Sequence, residues 1–164
     1  MKKNLLKIAA VALLAFSVSS CSKSTPAATT STTKTTTTAA TFSATVAGTA
    51  MTFTGTASYS AGSSTLSLFG TSGTYQIQLD IHNPVAGSAL TLSAAATSVG
   101  KITQTSPSTF WETSASPNTG TVTLSTYNTS GKTASGTFTF QGTDLSGTTT
   151  KNVTAGSFAN VTWP

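Results

Sequence analysis

Between residues 41 and 164 the chain alternates apolar and polar positions almost residue by residue. In Tyr75-Gln76-Ile77-Gln78-Leu79-Asp80-Ile81-His82 the side chains of Tyr75, Ile77, Leu79 and Ile81 share one face and the polar residues share the other. The same period of two runs through Phe42–Val46, Met51–Phe53, Leu66–Leu68, Leu90–Leu92, Val122–Leu124 and Phe138–Phe140, and less regularly at Val153 and Val161–Trp163. Successive side chains of an extended strand point to opposite faces, so each run predicts a strand with one buried and one solvated side. No stretch repeats apolar residues at helical spacing, and β-branched threonine suits the solvated face of a pleated sheet. Turn residues separate the runs at Ala47-Gly48-Thr49, Ala61-Gly62-Ser63, Ser72-Gly73, Asn83-Pro84, Ser130-Gly131-Lys132 and Ala155-Gly156. The pattern predicts one all-β domain of sequential antiparallel hairpins, either a β-sandwich or a flattened, partly open β-barrel. A membrane-spanning barrel would need strands of about 9–11 residues and a continuous apolar outer band. Most runs here are shorter, and their second face is Thr and Ser.

The first 40 residues break this period. Lys2, Lys3 and Lys7 precede an apolar core, Ile8 to Val18, which closes in Val18-Ser19-Ser20-Cys21 with the chain's only cysteine. As a helix that core would be roughly 16 Å long, against roughly 30 Å for a bilayer interior. It is too short to remain as a span and reads as a removable export signal. The small-residue pair running into a lone cysteine resembles the lipobox of bacterial lipoproteins. The resemblance implies cleavage after residue 20 and acylation of Cys21, with palmitate-type chains tying the protein to a membrane. The alternative is an ordinary secretory signal with an incidental cysteine, but such signals end in an A-x-A-like site and this one does not. One saturated chain holds a protein only marginally, whereas two or more hold it stably. Residues 21–40 carry no large apolar side chain, so nothing there offsets the entropy of ordering the segment. They are expected to be a flexible Ser/Thr-rich tether, with an O-glycosylated stalk as the alternative. The expected organisation is therefore 1–20 signal peptide, 21–40 lipidated cysteine and tether, and 41–164 all-β domain. By resemblance to lipoprotein sorting rules, Ser22 rather than Asp after the cysteine implies the outer membrane of the cell envelope. Because no acidic stretch follows Cys21, the same resemblance favours a periplasm-facing placement over a surface-exposed one.

Charge changes the picture once the signal is removed. The net charge of +5 includes the three signal lysines. The remainder sets Lys23, Lys34, Lys101, Lys132 and Lys151 against Asp80, Glu112 and Asp144, and residues 41–164 are neutral. With no arginine and no clustered basic face, nucleic-acid binding has no electrostatic footprint. An acylated Cys21 leaves no thiol for a disulfide, a metal or a nucleophile. Asp80 and His82 share the polar face of one strand, which is half of a metal or proton-transfer site. As a lone histidine and carboxylate they read instead as solvated residues before the Asn83-Pro84 turn. Asp144, in Gly142-Thr143-Asp144-Leu145-Ser146-Gly147, has too few acidic neighbours for a calcium loop. No G-x-S-x-G elbow accompanies the many serines. The expectation is a non-enzymatic domain without catalytic residues, metal or cofactor.

Binding is the better functional idea. Phe110 and Trp111 are adjacent between Pro107 and Pro117, so in an extended stretch they cannot both face inward. Tyr127 has the parity opposite to Val122 and Leu124, and Phe69 that opposite to Leu66 and Leu68. Exposed Trp111 and Tyr127 would form a stacking platform for sugar or peptide. Alternatively, the Phe110-Trp111 loop plugs an open end of the core. Three Asn-x-Thr/Ser triplets, at Asn128, Asn152 and Asn160, match an N-glycosylation pattern, but beside a bacterial lipobox they read as products of a Thr-rich chain. Finally, Gly120-Thr121-Val122-Thr123-Leu124, Ser135-Gly136-Thr137-Phe138-Thr139-Phe140, Val153-Thr154-Ala155-Gly156-Ser157-Phe158 and Val161, with Phe42-Ser43-Ala44-Thr45-Val46-Ala47-Gly48 at the start, resemble a family of small uncharacterised Bacteroidota lipoproteins. The likeness spans roughly residues 41–163, implies an all-β domain of unknown function, and carries over no catalytic residue. Asn is more usual than Ala47 before the first glycine. The expected role is a membrane-anchored envelope lipoprotein in structural or protein contacts. The alternative is a glycan- or ligand-binding module, with the membrane, envelope proteins and glycans as candidate partners.

Overall fold

A computed structural model describes residues 40–114 and 119–164. The signal, Cys21 and the tether lie outside the described residues. The domain consists of β1 (Thr41–Val46), β2 (Thr49–Ser60), β3 (Thr65–Thr71), β4 (Tyr75–His82), β5 (Ala89–Ser93), β6 (Val99–Gln104), β7 (Thr109–Glu112), β8 (Thr119–Asn128), β9 (Thr133–Thr143) and β10 (Thr150–Thr162). All strand pairings are antiparallel. Each hairpin forms because a local turn reverses a strand whose apolar face already points one way. At the first, Ala47 (φ 48°) and Gly48 (φ 86°) are both left-handed, as a two-residue hairpin turn matched to sheet twist requires.

The pairings β10–β1–β2–β3–β4–β6–β7–β9 return to β10 and close a ring of eight strands. The domain is therefore a barrel, and the sandwich alternative falls. β8 lies along the far edge of β9 as far as Phe140, β7 takes that edge at Thr143, and β5 pairs with the outer side of β8. Eight strands leave an interior just wide enough for side chains to fill. Phe42, Leu66, Leu68, Ile77, Leu79, Ile81, Ile102, Leu124, Phe138 and Phe158 fill it and are almost wholly buried. Inward-facing glycines make room for the rings. A side chain at Gly70 would meet the Phe42 ring at 2.6 Å, and one at Gly156 would meet the Phe138 ring at 2.6 Å. Among the described residues no buried side-chain nitrogen or oxygen lacks a hydrogen-bond partner.

Two sequence expectations fail here for one reason. Ala155-Gly156 is not a turn: it lies inside β10, where the register slips between Val153 and Gly156, and Ala155 is left-handed at φ 48°. A second slip between Phe158 and Val161 carries Asn160 at φ 52°. Each bulge inserts a residue and swaps the faces beyond it, which explains the irregular spacing of Val153, Gly156, Phe158, Val161 and Trp163. A third slip, between Leu124 and Thr126, does the same in β8. Tyr127 therefore returns to the inward side, opposite to the parity its sequence spacing implies.

The outer face is hydroxylated. Thr123, Thr137, Ser157, Ser43 and Thr52 lie in one rung across β8, β9, β10, β1 and β2. Among the described residues the exposed large apolar side chains are Val85 and Leu145, where a lipid-facing wall would need a continuous apolar band.

Candidate functional site

The turns β1–β2, β3–β4, β6–β7 and β9–β10 gather at one end of the barrel, and Trp111 is the side chain around which that end is organised. It sits on β7, not in a loop, and is 7% exposed. Its indole N–H donates to the Thr149 hydroxyl at 2.9 Å, and that hydroxyl donates to Asp144 Oδ2 at 2.7 Å. The Lys151 ammonium lies 3.9 Å from the Trp111 ring centre and 4.7 Å from that of Tyr75. It also donates to the Tyr75 hydroxyl at 3.0 Å and to Gln104 Oε1 at 3.3 Å. Lys151 thus stoppers the mouth, its charge held by ring quadrupoles and two oxygens. The expected exposure of Trp111 does not hold, because its strand parity points it into the core and Lys151 covers it.

Asp144 closes the β9–β10 loop. Its Oδ1 accepts the amides of Thr148 (2.9 Å) and Thr149 (3.3 Å), and its Oδ2 accepts the hydroxyls of both. The Thr149 hydroxyl, followed by these amides, holds its carboxyl well below the usual carboxylate range. The carboxylate serves the loop and offers no free lone pair for a metal.

Because Trp111 turns inward, Phe110 turns outward. It lines a shallow groove of about 260 Å³ with Ser108, Thr109, Asp144, Leu145 and Ser146. The Lys101 ammonium lies 4.3 Å from the centre of the Phe110 ring. Leu145, at the groove's rim, is 79% exposed. Phe110 takes the outward position that the sequence reading gave to Trp111. Leu145 was missed there, although a lone leucine in a loop of Gly, Thr, Asp and Ser is the signal that could have found it.

The opposite end holds Tyr127. Its ring stacks on Trp163 (centroids 5.7 Å, 25° between planes) and lies 6.4 Å from Tyr59. Burial, together with a hydrogen bond from the Tyr127 hydroxyl to the Tyr59 side chain, pushes its phenol up to about 12. Tyr127 is half-buried in an aromatic cluster that caps this end. Phe69, by contrast, faces outward as its parity implies.

Asp80 and His82 are not joined into a site. Asp80 accepts from Ser67 Oγ (2.6 Å) and Gln78 Nε2 (2.8 Å), while His82 Nδ1 is 3.2 Å from Thr65 Oγ1. Among the described residues no three His, Cys, Asp or Glu side chains cluster as metal ligands would.

These features define an all-β barrel domain with a filled interior and polar outer walls. Residues 24–162 match the family model for a domain of unknown function (DUF6252), and the chain belongs to that family. No curated protein and no solved structure matches the chain.

Proposed function

We propose that the chain is a lipid-anchored lipoprotein of a bacterial cell envelope whose barrel acts without catalysis, through its outer surface, in structural or protein contacts. The anchor rests on Val18-Ser19-Ser20-Cys21, where a short apolar core ends in the chain's single cysteine. By resemblance, acyl chains at Cys21 would hold the protein to the outer membrane, and residues 22–40 would let the barrel stand off from it. The observation that carries the role of the domain is its filled interior. Among the described residues, rings packed over inward glycines take up the interior, and that supports function on the walls and rims. Feeding cells labelled palmitate tests the anchor. The expected result is label on the wild type and none on Cys21→Ala; an unlabelled wild type overturns it.

A second reading, glycan binding, is favoured by two half-exposed aromatic positions at opposite ends of the barrel: the Phe110 groove and the Tyr127 cluster. Aromatic faces beside hydroxyls are the usual surroundings of a bound sugar ring. Array binding by the full chain tests this reading.

A further inference from the structure

We propose that the groove between β7 and the β9–β10 loop is a subsite for one residue of an uncharged saccharide chain. The proposal deepens the glycan reading and rests on it. Phe110 and Leu145 supply apolar surface for the C–H face of a sugar ring, and Ser108, Thr109 and Ser146 supply hydroxyls that donate or accept. The backbone adds a further pair. Thr113 N–H bonds to Gly100 C=O, so Thr113 faces β6 and Glu112 faces the opposite edge, where it pairs with Thr143. Alternation along the strand puts the N–H and C=O of Phe110 on that same far edge. β9 ends at Thr143, so no strand runs beside Phe110 there. A donor and an acceptor so close together suit neighbouring hydroxyls of one ring.

Charge selects against an ionic ligand. Asp144 is saturated by Thr148 and Thr149, and the Lys101 ammonium lies over the Phe110 ring. An aminated sugar would lose water here without gaining a free carboxylate, and a carboxylated one would have to draw the Lys101 ammonium off the Phe110 ring. Size points the same way. At about 260 Å³ the groove falls below the roughly 300 Å³ at which pockets for drug-sized ligands begin, and it suits a single ring.

The experiment is a glycan array carrying neutral and uronic-acid oligosaccharides, probed with the detergent-solubilised full chain and with Leu145→Ser, Phe110→Ala and Tyr127→Ala. Leu145 is 79% exposed, so Leu145→Ser leaves the fold intact and decides the matter even if Phe110→Ala melts early. Neutral glycans are expected to bind, with affinity falling about tenfold in both groove variants and unchanged in Tyr127→Ala. Binding that survives Leu145→Ser but disappears in Tyr127→Ala overturns the groove and leaves the glycan reading standing. A wild type that binds no saccharide overturns both. Binding of uronic-acid glycans alone, or of extended peptides in place of sugars, overturns the assignment of an uncharged saccharide.

Discussion

Replacing Gly70 by alanine tests the claim that ring-over-glycine packing fills the barrel. The new methyl would stand 2.6 Å from two atoms of the Phe42 ring, well inside contact distance. That ring has little room to retreat, being 2% exposed and ringed by Phe138 at 5.4 Å, Phe53 at 5.8 Å and Phe158 at 6.2 Å. Overpacking of this kind costs about 1–3 kcal/mol. Alanine returns about 0.4–1 kcal/mol by narrowing the unfolded ensemble. The net expectation is a loss of about 1–2 kcal/mol, read from urea unfolding at constant m-value. Gly62→Ala is the control: nothing lies within 4 Å of the added methyl, so only the entropic gain should remain. Pairing Gly70→Ala with Phe42→Leu should recover at least about 0.5 kcal/mol relative to the sum of the single changes. A Gly70→Ala protein as stable as the wild type, or a strictly additive double variant, would refute the packing argument.

Three further outcomes follow from particular residues. The Tyr127 phenol is raised from its ordinary value to about 12, so its neutral form stabilises the fold fully below pH 10, and that contribution fades as pH climbs towards 12; the urea midpoint of Tyr127→Phe should fall less steeply over this range. The Asp144 carboxyl is held below its ordinary value of 3.8, so its contribution is present above that pH and is lost as acid protonates it; in Asp144→Ala the Thr148 and Thr149 amides should exchange with deuterium faster at neutral pH, and unchanged protection would show that the carboxylate does not hold the loop. Ala47→Asn should stabilise by about 0.5–1 kcal/mol, since asparagine tolerates the left-handed conformation better than alanine; a lower melting temperature would count against the hairpin assignment.

Alternation is a local steric property, and that is why the strands and their buried faces could be read from Phe42, Leu66, Leu68, Ile77, Leu79 and Ile81 alone. The hairpin turns at Ala47-Gly48, Ala61-Gly62 and Ser130-Gly131 were legible for the same reason. The export signal and its cysteine were expected from an apolar run of limited length, without reference to the fold. Closure of the ring was not legible, because β4–β6, β7–β9 and β10–β1 join segments whose register depends on the whole circumference. The bulges in β8 and β10 were hidden as well. Ala155 and Asn160 take left-handed conformations without glycine to announce them, and each slip reverses the side on which later residues lie. Parity counted along the chain therefore misjudged Tyr127, and adjacency alone could not say which of Phe110 and Trp111 would face the core. Only the pairing of β7 with β6 on one edge and with Thr143 on the other decided that Trp111 is packed under Lys151 while Phe110 opens onto the groove.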